Sequence, residues 1–292
     1  MSVQPHYSAS ESLDALVAAL TLTSTGTDRF LAPNELPRFP RIFGGQLLAQ
    51  AIMAAGLTTP GIAPASIHGY FLEPGSYDQP IDIAVERLRS GRSMFIRQVT
   101  LAQGDRTLLV ALVALHDNPA GPVADRSAAF DVGPEELVTV EQWVQRTNEA
   151  DHPLARQWVT FPPPFDIRLG EPLTIFGGPN REHPRPQWMR PAHDVAPDPL
   201  LHAALLAYAS DFFLVDIVFR SHPDEARMPD YLGTTIDHSI WFHRPSRLDG
   251  WFVHTQQAVD VVGHRGLAHG AIHDSAGRLM ATVMQDVLTR PT

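Results

Sequence analysis

Ser239-Ile240-Trp241-Phe242-His243-Arg244-Pro245 reads against His68-Gly69-Tyr70-Phe71-Leu72-Glu73-Pro74 at an offset of 171 residues, sharing an aromatic pair and a proline. A second offset, about 173, lays Arg92-Ser93 on Arg265-Gly266, Gly104 on Gly277 and the apolar run 108–115 on 281–288. Weak self-similarity of this kind marks a duplicated architecture. In the second overlay Leu112 falls on Gln285, so one copy is polar where the other is aliphatic.

Outward from that repeat, both halves read as one helix followed by an antiparallel meander. In the first, Arg41-Ile42-Phe43-Gly44-Gly45-Gln46 leads into an Ala/Leu-rich helix over 47–56, apolar nearly all round and therefore buried. Strands are expected over 67–71, 81–88, 93–103 and 107–116, separated by Pro, Gly and Asp turn signals. In the second half, a strand over 165–169 and a Pro-rich loop over 179–199 precede a helix over 200–219 and strands over 234–242, 251–261, 266–273 and 278–289. The expected fold class is α+β, with a unit over 1–117, a linker over 118–160 containing a short helix at 134–146, and a second unit over 161–292.

Composition narrows the chemistry. The 292 residues include no cysteine, which excludes disulfides, thiolate nucleophiles and cysteine-ligated metals and fits a reducing, cytoplasmic address. All 22 basic residues are arginine, so neither a Schiff-base nor a P-loop lysine exists. A net charge of −10 with scattered arginines argues against nucleic acid. Residues 1–20 lack the basic head of a signal peptide, and the longest apolar runs, around 108–115, are too short to span a bilayer. Serine-elbow, dinucleotide and Walker motifs do not occur. His264, His269 and His273 fit no usual ligand spacing, so no metal is expected.

Three polar residues stand out on apolar faces. Ala204, Tyr208, Asp211, Val215 and Val218 follow helical steps, which places Asp211 on a greasy stripe where a carboxylate is costly unless hydrogen-bonded. Strand alternation gives Leu279, Ala281, Val283, Gln285 and Val287 one face, with Gln285 its single amide. Thr235 opens the aromatic strand. A helix bend or cap for Asp211 and an edge position for Gln285 are the competing structural explanations. Asp237 and His238 are adjacent on a strand and point to opposite faces, so they are not expected to act together.

Arg41–Gln46 with its following helix, Ser66-Ile67-His68-Gly69-Tyr70-Phe71-Leu72-Glu73-Pro74-Gly75, Tyr208-Ala209-Ser210-Asp211 and Thr235-Ile236-Asp237-His238-Ser239 with the aromatic strand resemble the acyl-CoA thioesterase II family, the TesB-type double-hotdog enzymes. The resemblance covers most of the chain outside the linker. It implies two hotdog units, each a long helix wrapped by an antiparallel sheet, and hydrolysis of medium- to long-chain acyl-CoA without a cofactor. It also implies a catalytic trio matching Asp211, Thr235 and Gln285, and a homo-oligomer, dimer or tetramer. Gly44, Gly45, His68 and Tyr70 are expected to bind substrate, the two glycines as backbone oxyanion donors at a helix N-terminus. Two alternatives share the scaffold. A hotdog enoyl-CoA hydratase would need an Asp/His pair, which Asp198-Pro199-Leu200-Leu201-His202 approaches with the wrong spacing, and a non-catalytic acyl-CoA binding protein would have no use for a buried Asp.

Overall fold

A computed structural model describes residues 6–117, 121–124, 127–146, 153–223, 230–245 and 247–292. Parts of the linker segment 118–160 fall outside the described residues. In chain order the elements are α1 (Ala9–Ala19), β1 (Thr23–Gly26), β2 (Arg29–Ala32), α2 (Gly44–Leu57), β3 (Pro64–Phe71), β4 (Ile81–Ser90), β5 (Met94–Gln103) and β6 (Arg106–His116). They continue with β7 (Val138–Thr139), α3 (Val140–Arg146), α4 (Pro153–Thr160), β8 (Phe165–Leu169), β9 (Arg185–Pro191), α5 (Pro199–Ser210) and α6 (Leu214–Arg220). The chain ends with β10 (Tyr231–Phe242), β11 (Phe252–Val262), β12 (Arg265–Asp274) and β13 (Leu279–Pro291).

One sheet holds all thirteen described strands, in the order β1-β2-β4-β5-β6-β3-β10-β13-β12-β11-β9-β8-β7. The duplicated motifs are its seam. β3 and β10 pair antiparallel, and His68 lies opposite Ser239, the residue the 171-residue offset lays upon it. A local two-fold axis therefore passes between them, and the His68 imidazole and the Ser239 hydroxyl hydrogen-bond there at 3.1 Å. On either side the orders β3-β6-β5-β4 and β10-β13-β12-β11 repeat each other.

α2 packs against β3, β4, β5 and β6, and α6 against β10, β11, β12 and β13, while α2 and α5 run antiparallel against each other. Their approach is close because glycines permit it. A Cβ on Gly45 would lie 2.5 Å from the Tyr208 carbonyl oxygen, and one on Gly56 would collide with the Leu200 side chain. Both helices are buried nearly all round, as the Ala/Leu composition requires. The amide nitrogens of the two glutamines on α2 are held by the preceding chain: Gln50 donates to the Ala19 and Pro33 carbonyls, and Gln46 to the Asn34 side chain.

Four expectations change. Instead of one helix over 200–219, α5 and α6 are separated at Asp211–Phe213, where Phe213 takes a left-handed backbone (φ 67°). The segment 134–146 is a 3-10 turn, then β7, and only then α3, so part of the segment read as linker closes the sheet edge against β8. The Pro-rich loop contains β9, whose prolines Pro186 and Pro191 sit within a strand held by β8 and β11. Finally, the stretch Pro199–Arg220 exceeds the 108–115 run: by length and composition it could cross a bilayer, yet most of it is buried in the protein's own core.

Candidate active site

Asp211 is the C-cap of α5, its N–H turned back to the Tyr208 carbonyl at 3.4 Å. From there its side chain faces the N-terminus of α2 in the other unit. Oδ2 would lie 2.7 Å from a Cβ at position 44, so glycine there leaves the room the carboxylate occupies. Burial pushes the Asp211 carboxyl up to about 7, against the smaller opposing pull of the Gly45 backbone N–H. The resulting group is a base poised near neutrality.

The break that releases Asp211 from the helix is anchored from β9 and β11. Gln256 donates to the Phe212 carbonyl at 2.7 Å and Gln187 to the same oxygen at 3.3 Å, while Arg185 reaches the Phe213 carbonyl at 3.4 Å. These bonds supply partners for carbonyls that the helix no longer uses, and they hold a bulky residue at positive φ, a conformation that costs about 1–3 kcal/mol.

Thr235 and Gln285 come from neighbouring strands. The β10–β13 register shifts between Thr235 and Asp237, which places one extra residue, Ile236, on β10. Strict alternation would put Thr235 on the face of Asp237, but the bulge turns it to the inner face, a known use of bulges beside sites. There the Gln285 amide donates to the Thr235 hydroxyl at 3.0 Å. The other end of that amide, Oε1, lies 2.6 Å from His238 Nδ1, and His238 Nε2 lies 2.9 Å from the Ser210 hydroxyl. His238 is fully buried, and Nδ1 is also 3.7 Å from Asp211 Oδ1. Desolvation pushes this imidazole down to about 4, so it is neutral at physiological pH and no ion pair forms with Asp211.

The structure thus brings Asp211, Thr235 and Gln285 together, and adds His238 and Ser210, which sequence reasoning passed over. Alternation correctly separates His238 from Asp237. The signal for His238 was its shared inner face with the only amide on β13. The carboxylate, the hydroxyl and Gly44 border a cleft of about 440 Å³ that runs between Phe39, Phe43, Phe71, Trp158, Phe213 and Phe219, with Arg41 and Glu73 also on its wall.

Other expected substrate-binding residues do not reach it. His68 and Tyr70 lie on the outer face of the sheet, where His68 meets Trp241 edge-on at 5.0 Å and Tyr70 is 57% exposed. Alternation along β3 sends Ile67, Gly69 and Phe71 inward, so Phe71 is the strand's contribution to the cleft. Gly45 does not border the cleft, and its N–H faces Asp211, which leaves Gly44 as the glycine placed for a substrate oxygen.

The comparison between halves also shifts by one residue. His238 pairs with Gln285 across β10–β13, and its counterpart Ile67 pairs with Val113 across β3–β6. Val113, not Leu112, is the first-unit match of Gln285; Leu112 is on the outer face, because a one-residue slip reverses every side chain. The first-unit matches of Asp211, Thr235, His238 and Gln285 are then Thr58, Pro64, Ile67 and Val113. No acid, imidazole or amide is repeated.

Asp198 caps α5 by accepting the Leu200 N–H at 2.9 Å, and His202 accepts the Leu248 N–H at 3.1 Å, so neither is a free acid–base partner. Among the described residues no cluster of three His, Asp or Glu side chains could hold a metal ion.

Known proteins match this layout along nearly the whole chain. Residues 33–116 match the family model for the acyl-CoA thioesterase N-terminal domain and residues 134–289 that for the C-terminal domain. "Acyl-CoA thioesterase 2" of Haemophilus influenzae is 31% identical over 284 residues, covering 96% of this chain and 99% of that protein. Human "Acyl-coenzyme A thioesterase 8" is 27% identical over 94% of this chain and 88% of its own length. A solved tesB protein of Mycobacterium avium subs paratuberculosis, 29% identical, superposes with a TM-score of 0.79 over 96% of this chain and all of that one. The chain with a single set of polar residues at the junction of two hotdog units belongs to the acyl-CoA thioesterase family.

Proposed function

We propose that the protein hydrolyses acyl-CoA thioesters, with medium- to long-chain acyl groups lying in the aromatic-lined cleft. The observation that carries this reading is a buried carboxylate near neutrality, joined on the wall of an apolar cleft by a hydroxyl that a fully buried amide from the adjacent strand holds. A thioester is reactive enough for water to attack directly once the water is held and its proton accepted. Asp211 accepts that proton, and Thr235, held by Gln285, fixes the water against the thioester carbon. The Gly44 N–H, at the positive end of α2, receives the carbonyl oxygen as its charge develops. Collapse of the tetrahedral intermediate breaks the C–S bond, and the proton held by Asp211 goes to the departing CoA sulfur. The acid product and free CoA leave.

The division into units over 1–117 and 161–292, a cytoplasmic address and assembly into a dimer or tetramer belong to the same reading. The cysteine-free composition supports the second. Exposed Tyr70, Leu112 and Trp241 on the outer face of the sheet support the third. Release of free thiol from a panel of acyl-CoAs of increasing length tests the activity. Turnover that rises with chain length into the medium and long range is expected. No thiol release from any member, with binding retained, would replace an enzyme by a binding protein.

A further inference from the structure

We propose that His238, together with Ser210, is a positioning residue that fixes which way the Gln285 amide points. The inference rests on the reading of Gln285 as part of the site.

The geometry is a chain of hydrogen bonds through the core: Ser210 Oγ to His238 Nε2 at 2.9 Å, His238 Nδ1 to Gln285 Oε1 at 2.6 Å, and Gln285 Nε2 to Thr235 Oγ1 at 3.0 Å. Ser210, His238 and Gln285 are completely buried, so no water competes for these groups. An amide alone in such a place can turn over, exchanging its donor and acceptor ends. What stops it is the partner at the far end. A neutral imidazole that presents Nδ1–H to Oε1 leaves Nε2 bare to accept from the Ser210 hydroxyl at 2.9 Å, whose oxygen also lies 2.7 Å from the Ala207 carbonyl.

With the imidazole set in this tautomer, every donor in the chain points the same way. Gln285 must give its N–H to Thr235, and the Thr235 hydroxyl, having accepted that bond, keeps its own proton free for the cleft. Reversal of the amide would instead draw the Thr235 proton back into the core. His238 thus acts on the reaction through Gln285 and Thr235, without itself lining the cleft. In the first unit Ile67 and Val113, both aliphatic, occupy the matching positions.

The test is a double-mutant cycle on the full-length protein, with kcat and KM measured for one acyl-CoA and folding checked by thermal melting. His238→Ile, which imitates the first unit, is expected to lower kcat roughly 10- to 100-fold with KM within about threefold, since the interaction acts on the water and not on acyl binding. His238→Asn, whose side-chain N–H stands where Nδ1–H was, should recover at least about fivefold of that loss. In a Gln285→Leu background His238→Ile should cost less than about threefold, because its effect has nowhere to go. Ser210→Ala removes the far donor with little change of volume, so it answers the same question if His238→Ile does not fold: about three- to tenfold in kcat, vanishing with Gln285→Leu. A full-sized loss from His238→Ile or Ser210→Ala in the Gln285→Leu background overturns the inference, as does wild-type kcat in both single variants or an Asn no better than Ile. Should Gln285→Leu alone leave kcat unchanged, the reading of the site fails first, which is a separate result.

Discussion

Asp211→Asn is expected to remove hydrolysis and at the same time to raise the stability of the protein above pH 7. The two effects have one cause. Losing a general base in place costs about 10²- to 10⁴-fold in kcat. Burial has raised this carboxyl from 3.8 to about 7, so the folded state holds a proton that the unfolded chain releases. For an acid shifted upward, the folded state is favoured at low pH and is penalised progressively as pH rises from about 4 to about 7. Above 7 the full penalty applies, a shift of about three units and therefore up to about 4 kcal/mol. Asparagine carries no charge to desolvate and still offers the Gly45 N–H an acceptor. Thermal melts of the two proteins should therefore nearly coincide at pH 4 and separate with increasing pH, the variant melting higher. A variant that retains activity, or melts lower at pH 8, contradicts the assignment.

Gln285→Leu is expected to cost about 10- to 1000-fold in kcat with little change in KM, the scale of removing one preorganised donor. Leucine restores the aliphatic character that the first unit has at Val113, and nothing in the acyl cleft changes, since Gln285 does not line it. The substitution also leaves His238 Nδ1–H without its acceptor in a buried place, a loss of about 1–3 kcal/mol seen as a lower melting temperature. A kcat within threefold of wild type would make the amide a packing group.

What the chain reveals before folding depends on whether the cause is local. The aromatic repeat at 68–74 and 239–245 is a local pattern, and it marks the two strands that form the seam of the sheet. The α+β tandem arrangement follows from it. Asp211 and Gln285 are visible because each is one polar residue in an otherwise apolar periodicity. Their meeting is not visible, since it depends on a helix break at Phe213 held by Gln256 and Gln187 from strands far along the chain. Residues 200–219 carry no Gly or Pro, so a helix pattern there runs on uninterrupted to the eye.

The bulge at Ile236 is likewise silent, as β-branched residues suit regular strand and bulge alike. It nevertheless decides which face Thr235 takes. The overlay of Leu112 on Gln285 failed by a single residue for a related reason: an offset near 173 ignores the register differences within each meander, and pairing across the sheet sets the match at Val113. His68 and Tyr70 belong to the motif that marks the family, yet on the outer face they serve the seam between the units. The motif is conspicuous there because two copies of one strand meet on a two-fold axis, and only Phe71 turns toward the cleft.

Whether Asp211 is the base of a single asymmetric centre is decided by the pH dependence of kcat at saturating acyl-CoA. Water attack needs the ionised carboxylate, so kcat should climb with pH along a limb whose midpoint is about 7 and level off above it. Residual turnover by Asp211→Asn should lack that limb. A wild-type kcat that is flat between pH 5 and pH 8, or a limb that survives in Asp211→Asn, would rule out Asp211 as the base.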